Sequence, residues 1–424
     1  MAKIFCALAA AGVLTAATAA SAAEPDNLML PEGFHARVFY EGTAPARHLA
    51  VRANGDVYLM TKQLGFGRPD PNKNQGIIAM RDVNGDGVAD EIRHFSKIEG
   101  TGIEFYKGML YVSDSTHVYR YKFTDGDGLV PSEGPETVIS GFDRQRMHED
   151  KPFAFDKAGH IYVNVGAPSN ACQEKDRTPG SMGMEPCPLL ERHGGIWRFD
   201  AEKLNQTQDK DGMRYATGLR NSIALEWNPT VDHLYLAMHG RDQINLWSKL
   251  YNAKDNATRI AEEFHEIKEG GNYGWPYTFY DTKLKERVIS PEYGGDGKKT
   301  PPAGKYPDPL IAFPAHWAPD DLIFYEGSQF PAKYKDGAFI AFHGSWNRAP
   351  EPQDGYKVVF VPMKDGKPSG QWTAFADNFR GNLTSNNPGA ASYRPVGLAV
   401  GPDGSLYISD SEKGRVWKIT YTGK

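Results

Sequence analysis

The chain has 424 residues, with 48 Lys and Arg against 53 Asp and Glu, a formal net charge of −5, 40% hydrophobic and 12% aromatic residues. One large all-β domain or two ordinary domains fit that length, the apolar share excludes wholesale disorder, and the mildly acidic balance gives no support for nucleic acid or an anionic membrane as main partner. Gly 45 and Pro 29 favour turns and short strands over long helices.

The first segment reads as a secretory signal over residues 1–22. Lys3 is a short basic start, Ile4 to Ala19 is apolar and Ala-rich, and Ala20-Ser21-Ala22 offers a small-residue cleavage site. Cys6 leaves with it. No later apolar run reaches the ~18 residues a spanning helix needs, so no membrane span is expected and the mature chain is predicted to be periplasmic. Two cysteines then remain, Cys172 and Cys187. In an oxidising compartment such a pair across a polar loop is usually a disulfide, two free thiols being the alternative.

From residue 23 on, apolar runs are short, alternating and rich in β-branched and aromatic residues, the strand signature. One motif, a turn leading into a strand, occurs six times. It is seen at Asn54-Gly55-Asp56-Val57-Tyr58-Leu59, Lys107 to Asp114, Ala158 to Val163, Val231 to Leu236, Asp336 to Ala341 and, most cleanly, Asp403-Gly404-Ser405-Leu406-Tyr407-Ile408-Ser409-Asp410. A strand usually precedes each copy and another often follows, which is the content of one propeller blade. The spacing predicts an all-β, six-bladed β-propeller over 23–424 with long loops on one face; a β-sandwich pair is the alternative. A helix is predicted only near Thr258 to Ile267, and Glu262-Glu263 reads as a solvated acidic face.

The sequence contains no P-loop, no G-x-G-x-x-G after a strand, no G-x-S-x-G, no H-E-x-x-H and no C-x-x-C-H. Any chemistry therefore has to come from scattered side chains on blade loops. Candidates stand at equivalent strand ends or starts: His148; Gly218-Leu219-Arg220-Asn221; His239-Gly240-Arg241-Asp242; Gly270-Gly271-Asn272-Tyr273-Gly274-Trp275-Pro276; His343 to Arg348; and Tyr393-Arg394-Pro395. Any one of them alone would be a satisfied turn residue more often than not. Separately, Asp82-Val83-Asn84-Gly85-Asp86-Gly87-Val88-Ala89-Asp90 places oxygen ligands at alternate positions with Gly at the sharp turn, so Asp82, Asn84, Asp86 and Asp90 are candidate calcium ligands. A plain turn is the equal alternative, and Asp125 to Gly128 reads as a turn.

The G-x-R-N box, the G-G-N-Y-G-W-P box, His343 to Arg348 and Arg394 through Asp410 resemble the soluble quinoprotein glucose/sorbosone dehydrogenase family, over about residues 28 to 421. The resemblance implies pyrroloquinoline quinone and calcium as cofactors and oxidation of an aldose, sugar aldehyde or related alcohol, electrons leaving to an external acceptor such as cytochrome c or a quinone. By position, His148 resembles the catalytic base and Arg220 the cation beside the reactive quinone oxygen. Asn221, Asn347, Arg348 and Arg394 fall at cofactor-binding positions, and Gly240 and Arg241 match the pair whose backbone carbonyls hold calcium. The sequence departs from the family at Ala167, where glucose-oxidising members carry the Asp that orients the base, at Asn347 for a Lys, and at Ser392 for an Arg. These departures are closer to the sorbosone or aldose branch. A calcium-dependent lactone or ester hydrolase and a non-catalytic sugar- or protein-binding propeller are the competing functions.

Overall fold

The computed structural model describes residues 27–62, 76–124, 126–381 and 384–423. The predicted leader at 1–22 and Asp125 lie outside them. Among the described residues, six sheets built on four antiparallel strands each follow one another along the chain, two of them extended by a short parallel strand, and two small hairpins stand outside them. Blade one is Ala46–Val51, Val57–Thr61, Ile77–Arg81 and Glu91–Phe95. Blade two is Ile103–Tyr106, Met109–Ser113, Val118–Tyr121 and Glu136–Ser140, and blade three is Phe153–Phe155, His160–Val165, Gly195–Asp200 and Met213–Thr217. Blade four is Ala224–Asn228, His233–Met238, Glu262–Ile267 and Ile311–Phe313; blade five is Pro319–Phe324, Ala338–Phe342, Lys357–Val361 and Thr373–Ala376. Blade six takes Pro395–Val400, Leu406–Asp410 and Val416–Tyr421 from the end of the chain and Phe34–Tyr40 from its beginning, paired Phe34 to Tyr421 and Ala36 to Ile419. The first strands of neighbouring blades touch all the way round, which closes the ring.

Every copy of the repeated motif is a blade's second strand. Five of the six copies carry a tyrosine in that strand, the copy in blade five having Phe339 instead, and three of these tyrosines tie blades together. Tyr58 donates its hydroxyl to the Leu129 carbonyl of blade two, Tyr111 to Ala201 beyond blade three's third strand, and Tyr235 to Gly366 of blade five. Each ring is fully or almost fully buried at a blade interface while its polar tip bolts the next blade, so the hydroxyl desolvation is compensated by a hydrogen bond. Apolar clusters fill the gaps between consecutive blades: Leu49, Leu59 and Tyr407 between blades six and one, for example, and Tyr162, Trp227 and Leu236 between three and four.

The predicted helix is corrected. Asn252 and Asp255 form a reciprocal capping box that starts a helix at Ala253–Arg259. Residues Glu262–Ile267 are instead a central strand, because their alternation lets Phe264 pack inward while the segment pairs on both sides. The solvated acidic face at Glu262-Glu263 is also wrong: each is only 2% exposed. Glu263 accepts from Arg287 at 2.5 Å and from His265 at 2.9 Å, a partnered buried carboxylate.

A cavity of about 200 Å³ runs along the ring axis past His48, Glu104, Glu226 and Asp321. It continues into a wider one of about 370 Å³ lined by Glu104, Glu226 and Glu326 among aromatic rings. The long loops, 166–194, 239–261 and 343–356, follow the second strands of blades three, four and five. Those loops and the segments that lead into each first strand form one face of the ring.

Candidate active site at the mouth of the ring

His148 lies in the segment entering blade three, in the left-handed region at φ 53°. Three carbonyls, those of Met147, His148 and Gly166, accept from the Gln145 side-chain amide and fix that turn. The imidazole Nδ1 stands 2.6 Å from the Ala167 carbonyl oxygen. A carbonyl only accepts, so Nδ1 carries the proton and Nε2 keeps a lone pair. Burial first, and then the Arg220 cation, holds the His148 pKa well below its ordinary value, which keeps the ring neutral. The backbone carbonyl of Ala167 thus sets the tautomer that an orienting carboxylate would otherwise set. Gly166 is required beside it: a Cβ there would lie 2.6 Å from His148 Cβ and 2.8 Å from Asn221 Oδ1.

Arg220, in the segment entering blade four, is 3% exposed. Its guanidinium donates to the Asn170 carbonyl at 3.3 Å, Asn170 Oδ1 at 3.1 Å, the Gly240 carbonyl at 3.0 Å and Asp242 Oδ2 at 2.9 Å. Those contacts use four of the five N–H groups of the fork and leave one. Asp242 also accepts from Arg177 at 2.9 Å through Oδ2 and from the Asn347 amide at 2.9 Å through Oδ1. Burial alone would raise its carboxyl, but Arg220, His316 and Arg177 outweigh burial and hold it well below the carboxylate range. Asn221 is buried next to this cluster, its Oδ1 accepting from Asn164. The Asn347 Oδ1 is buried without a hydrogen-bond partner.

The G-G-N-Y-G-W-P box serves the same cluster from below. Trp275 donates its indole N–H to the Asn170 carbonyl at 2.9 Å and packs with Ala167, Cys172 and Cys187. The two cysteines are joined as a disulfide.

Across the mouth, His239 lies 3.2 Å from Asp320 Oδ1, and its pKa ends above the ordinary value: burial lowers it, and Asp320 and Glu262 more than reverse that. Asp320 is held well below the carboxylate range by His343, His239 and Arg47 despite its burial. His343 bonds Ser411, and Arg394 donates to the His343 and Gly344 carbonyls. Glu262 accepts from the Gly240 amide at 3.0 Å, and burial pushes its carboxyl up to about 7.

The structure therefore brings together His148, Arg220, Asn221, Gly240 and Asn347, with Arg394 on the opposite rim. Arg348 is not among them: its side chain donates to the Pro352, Ala257 and Ala315 carbonyls, so its charge is committed to holding a loop. The Arg241 side chain turns away to a bidentate pair with Glu292, which leaves only its backbone for a ligand. Asp82, Asn84, Asp86 and Asp90 lie between the two outer strands of blade one. Asp82 accepts from the Gly85, Asp86 and Gly87 amides, and Asp90 from those of Val83 and Asn84. Among the described residues no group of three or more His, Cys, Asp or Glu converges as a metal-holding cluster. Asn170, Arg177, Asp320 and Glu262 join the site with no signal in the sequence, whereas Asp242 stands among the strand-end candidates without a role of its own.

A ring of six blades carrying a tightly hydrogen-bonded His, Arg, Asn and Asp cluster at one mouth defines a propeller with an enzyme-like polar site. The sequence model of TrAA12-like proteins matches residues 28–422, and the chain belongs to this family. Among curated proteins, an uncharacterized protein of Borreliella burgdorferi is 27% identical over 208 residues, 49% of this chain and 48% of that one. A pyrroloquinoline quinone-dependent pyranose dehydrogenase of Coprinopsis cinerea is 29% identical over 288 residues, 57% of this chain and 36% of that one. The chain thus spans half or less of the length of the curated relatives it matches. Among solved structures, the Trichoderma reesei carbohydrate-active enzyme of family AA12, in a calcium structure, superposes with a TM-score of 0.72 at 17% identity, covering 93% of this chain and 97% of that one. The holo pyranose dehydrogenase PQQ domain of Coprinopsis cinerea gives 0.70 at 17% identity, with coverage of 93% and 97%. At that identity the structures speak for the shared fold.

Proposed function

We propose that the chain is a quinoprotein oxidoreductase that uses pyrroloquinoline quinone and calcium to oxidise an aldose, sugar aldehyde or related alcohol. The observation that carries this reading is a neutral His148 with its Nε2 lone pair free, beside the buried cation of Arg220. A substrate hydroxyl would give its proton to Nε2, which readies the adjacent C–H bond to part with its electron pair. Arg220 is already locked by four hydrogen bonds, so it would meet negative charge on a bound ligand without reorganising.

The donor set fits an anionic planar quinone and a hard cation. The spare N–H of Arg220 and the Arg394 fork are donors suited to carboxylates and quinone oxygens, and the partnerless Asn347 Oδ1 is an acceptor suited to a ligand N–H or O–H or to a hard cation. The Gly240 and Arg241 carbonyls would be the calcium ligands, and a carbonyl that already accepts from Arg220 retains a second lone pair. When bound, the quinone supplies the two-electron redox capacity that the side chains lack. Kinship with the pyranose dehydrogenase of Coprinopsis cinerea supports the reading. An external electron acceptor and an exported, periplasmic setting complete it; the disulfide and the leader motif support the latter.

The test is calorimetry of the purified protein with pyrroloquinoline quinone, with and without calcium, followed by absorbance of the mixture upon addition of aldoses. Calcium-dependent binding and sugar-dependent bleaching are expected. No binding at millimolar calcium would overturn the proposal.

A further inference from the structure

Asp242 occupies a position that neither the motifs nor the family resemblance gave a role. Its carboxylate is where three separate mouth loops meet: Arg177 from the disulfide loop, Arg220 from the entry to blade four, and Asn347 from the loop after blade five's second strand. Its backbone joins the same knot. The Asp242 amide donates to Asn170 Oδ1 at 2.9 Å and its carbonyl accepts from the Asn170 side-chain amide at 2.9 Å, while Asn170 Oδ1 also receives Arg220. Asn170 and Asp242 therefore form a closed frame around one guanidinium. His316 stands 3.7 Å from Oδ1.

We propose that Asp242 is the positioning residue of this mouth, acting through Arg220 and Asn347 to present the spare guanidinium N–H and the Asn347 Oδ1 to a bound ligand. Three arguments support it. Arg220 can rotate away from the mouth only by breaking a charge-assisted bond to Asp242, the strongest of its four contacts. The bond from the Asn347 amide nitrogen to Asp242 Oδ1 fixes which way the amide faces and so where its unpartnered oxygen is held. Arg177 shares Oδ2 with Arg220, so the disulfide loop competes with and adjusts the hold on Arg220. The inference rests on reading the mouth as a quinone site.

The experiment compares the wild-type protein with Asp242→Asn, which keeps the side-chain shape and removes the charge. Two readouts are used: calorimetric affinity for pyrroloquinoline quinone with calcium, and exchange of the Arg220 guanidinium N–H resonances in the ligand-free protein. Asp242→Asn is expected to weaken quinone binding by roughly tenfold or more and to speed Arg220 N–H exchange. Adding Arg220→Lys should cost little beyond either change alone, because both remove one interaction. Unchanged affinity, or losses that simply add, would overturn the inference. If the wild-type protein itself binds no quinone, the functional proposal fails, and Asp242 is judged on the ligand-free resonances alone; unchanged exchange in Asp242→Asn would then overturn it. Should Asp242→Asn not fold, Arg177→Gln takes its place. That substitution changes a half-buried residue and leaves Oδ2 to Arg220 alone, so Arg220 exchange should slow, and an unaltered rate refutes the role.

Discussion

The acids along the ring axis make stability depend on pH in an unusual direction. Glu104, Glu226 and Asp321 line the narrow cavity and Glu326 the wider one. Within salt-bridge distance, the described residues offer them no Lys or Arg, and His48 stands 3.8 Å from Asp321. Lys157, at the wide end, gives its ammonium to the Pro229 carbonyl. Burial, followed by repulsion from Glu326, pushes the Glu226 carboxyl from 4.5 up to about 8. Burial and neighbouring carboxylates raise Glu104 and Asp321 as well. A carboxyl raised on folding binds its proton more tightly in the native chain. Its stabilisation is therefore complete below the unfolded pKa of 4.5 and is lost as the pH climbs through about 8. One pKa unit is worth about 1.4 kcal/mol, so Glu226 alone has a ceiling of ~5 kcal/mol; because it is only half-buried and faces a channel wide enough for water, on the order of 2 kcal/mol is expected. Glu226→Gln keeps the acceptor for the Trp227 amide, 2.7 Å away in the wild type, and removes the titration. Equilibrium urea unfolding from about pH 5 to about pH 9 should show wild type and variant alike at the acid end. The variant should gain progressively as the pH rises and level off above the upper pKa. Parallel curves across the range, or a variant weaker than wild type at high pH, would refute the reasoning.

His148→Gln should lower turnover by about 10²–10⁴-fold while leaving quinone binding intact, measured by steady-state rates and calorimetry; full turnover would shift the base to His239 or His343. Because burial and Arg220 depress the His148 pKa, the wild-type rate should stay high well below neutral pH, and an acid limb near neutrality in the pH–rate profile would contradict the neutral-base geometry. Cys172 and Cys187 close a loop with a sequence separation of 15, worth about 3 kcal/mol in the chain-entropy model. Reduction should reduce activity more than it lowers the melting temperature, since the loop carries Arg177. Asp82→Ala with Asp86→Ala should lower any calcium-induced rise in melting temperature without changing quinone affinity; loss of quinone binding would show that the loop reaches the mouth.

The ring was legible because its signal is local and repeated: a turn, then an alternating strand, with a tyrosine in it five times out of six. The closure of blade six by Phe34–Tyr40 was not, since a pairing between the two ends of a chain leaves no trace in local periodicity. The Glu262–Ile267 strand was misread for a related reason: glutamates favour helix until two neighbouring strands claim their backbone, and nothing in the segment itself names Arg287 and His265 as partners for Glu263. In the site, His148, Arg220 and Asn221 were legible from recurring positions at strand ends. Arg348 falls at a cofactor-binding position by resemblance, but three carbonyls from different segments capture its side chain. Asp242, Asn170 and Asp320 are defined by what other loops bring to them, and only the folded ring does that.

Phe34–Tyr40, near the start of the chain, waits for Val416–Tyr421 near its end before blade six has both neighbours. The pairing of Val416–Tyr421 and the burial of Trp417 are complete only once that strand has been made. A chain that stops before Val416 lacks a seam in the ring, not just a tail. It would expose unpaired strand edges on both sides of the gap, a template for association with other chains. Until Phe34–Tyr40 has Val416–Tyr421 beside it, blade six cannot hold its place against blade one, so the mouth depends on this one seam.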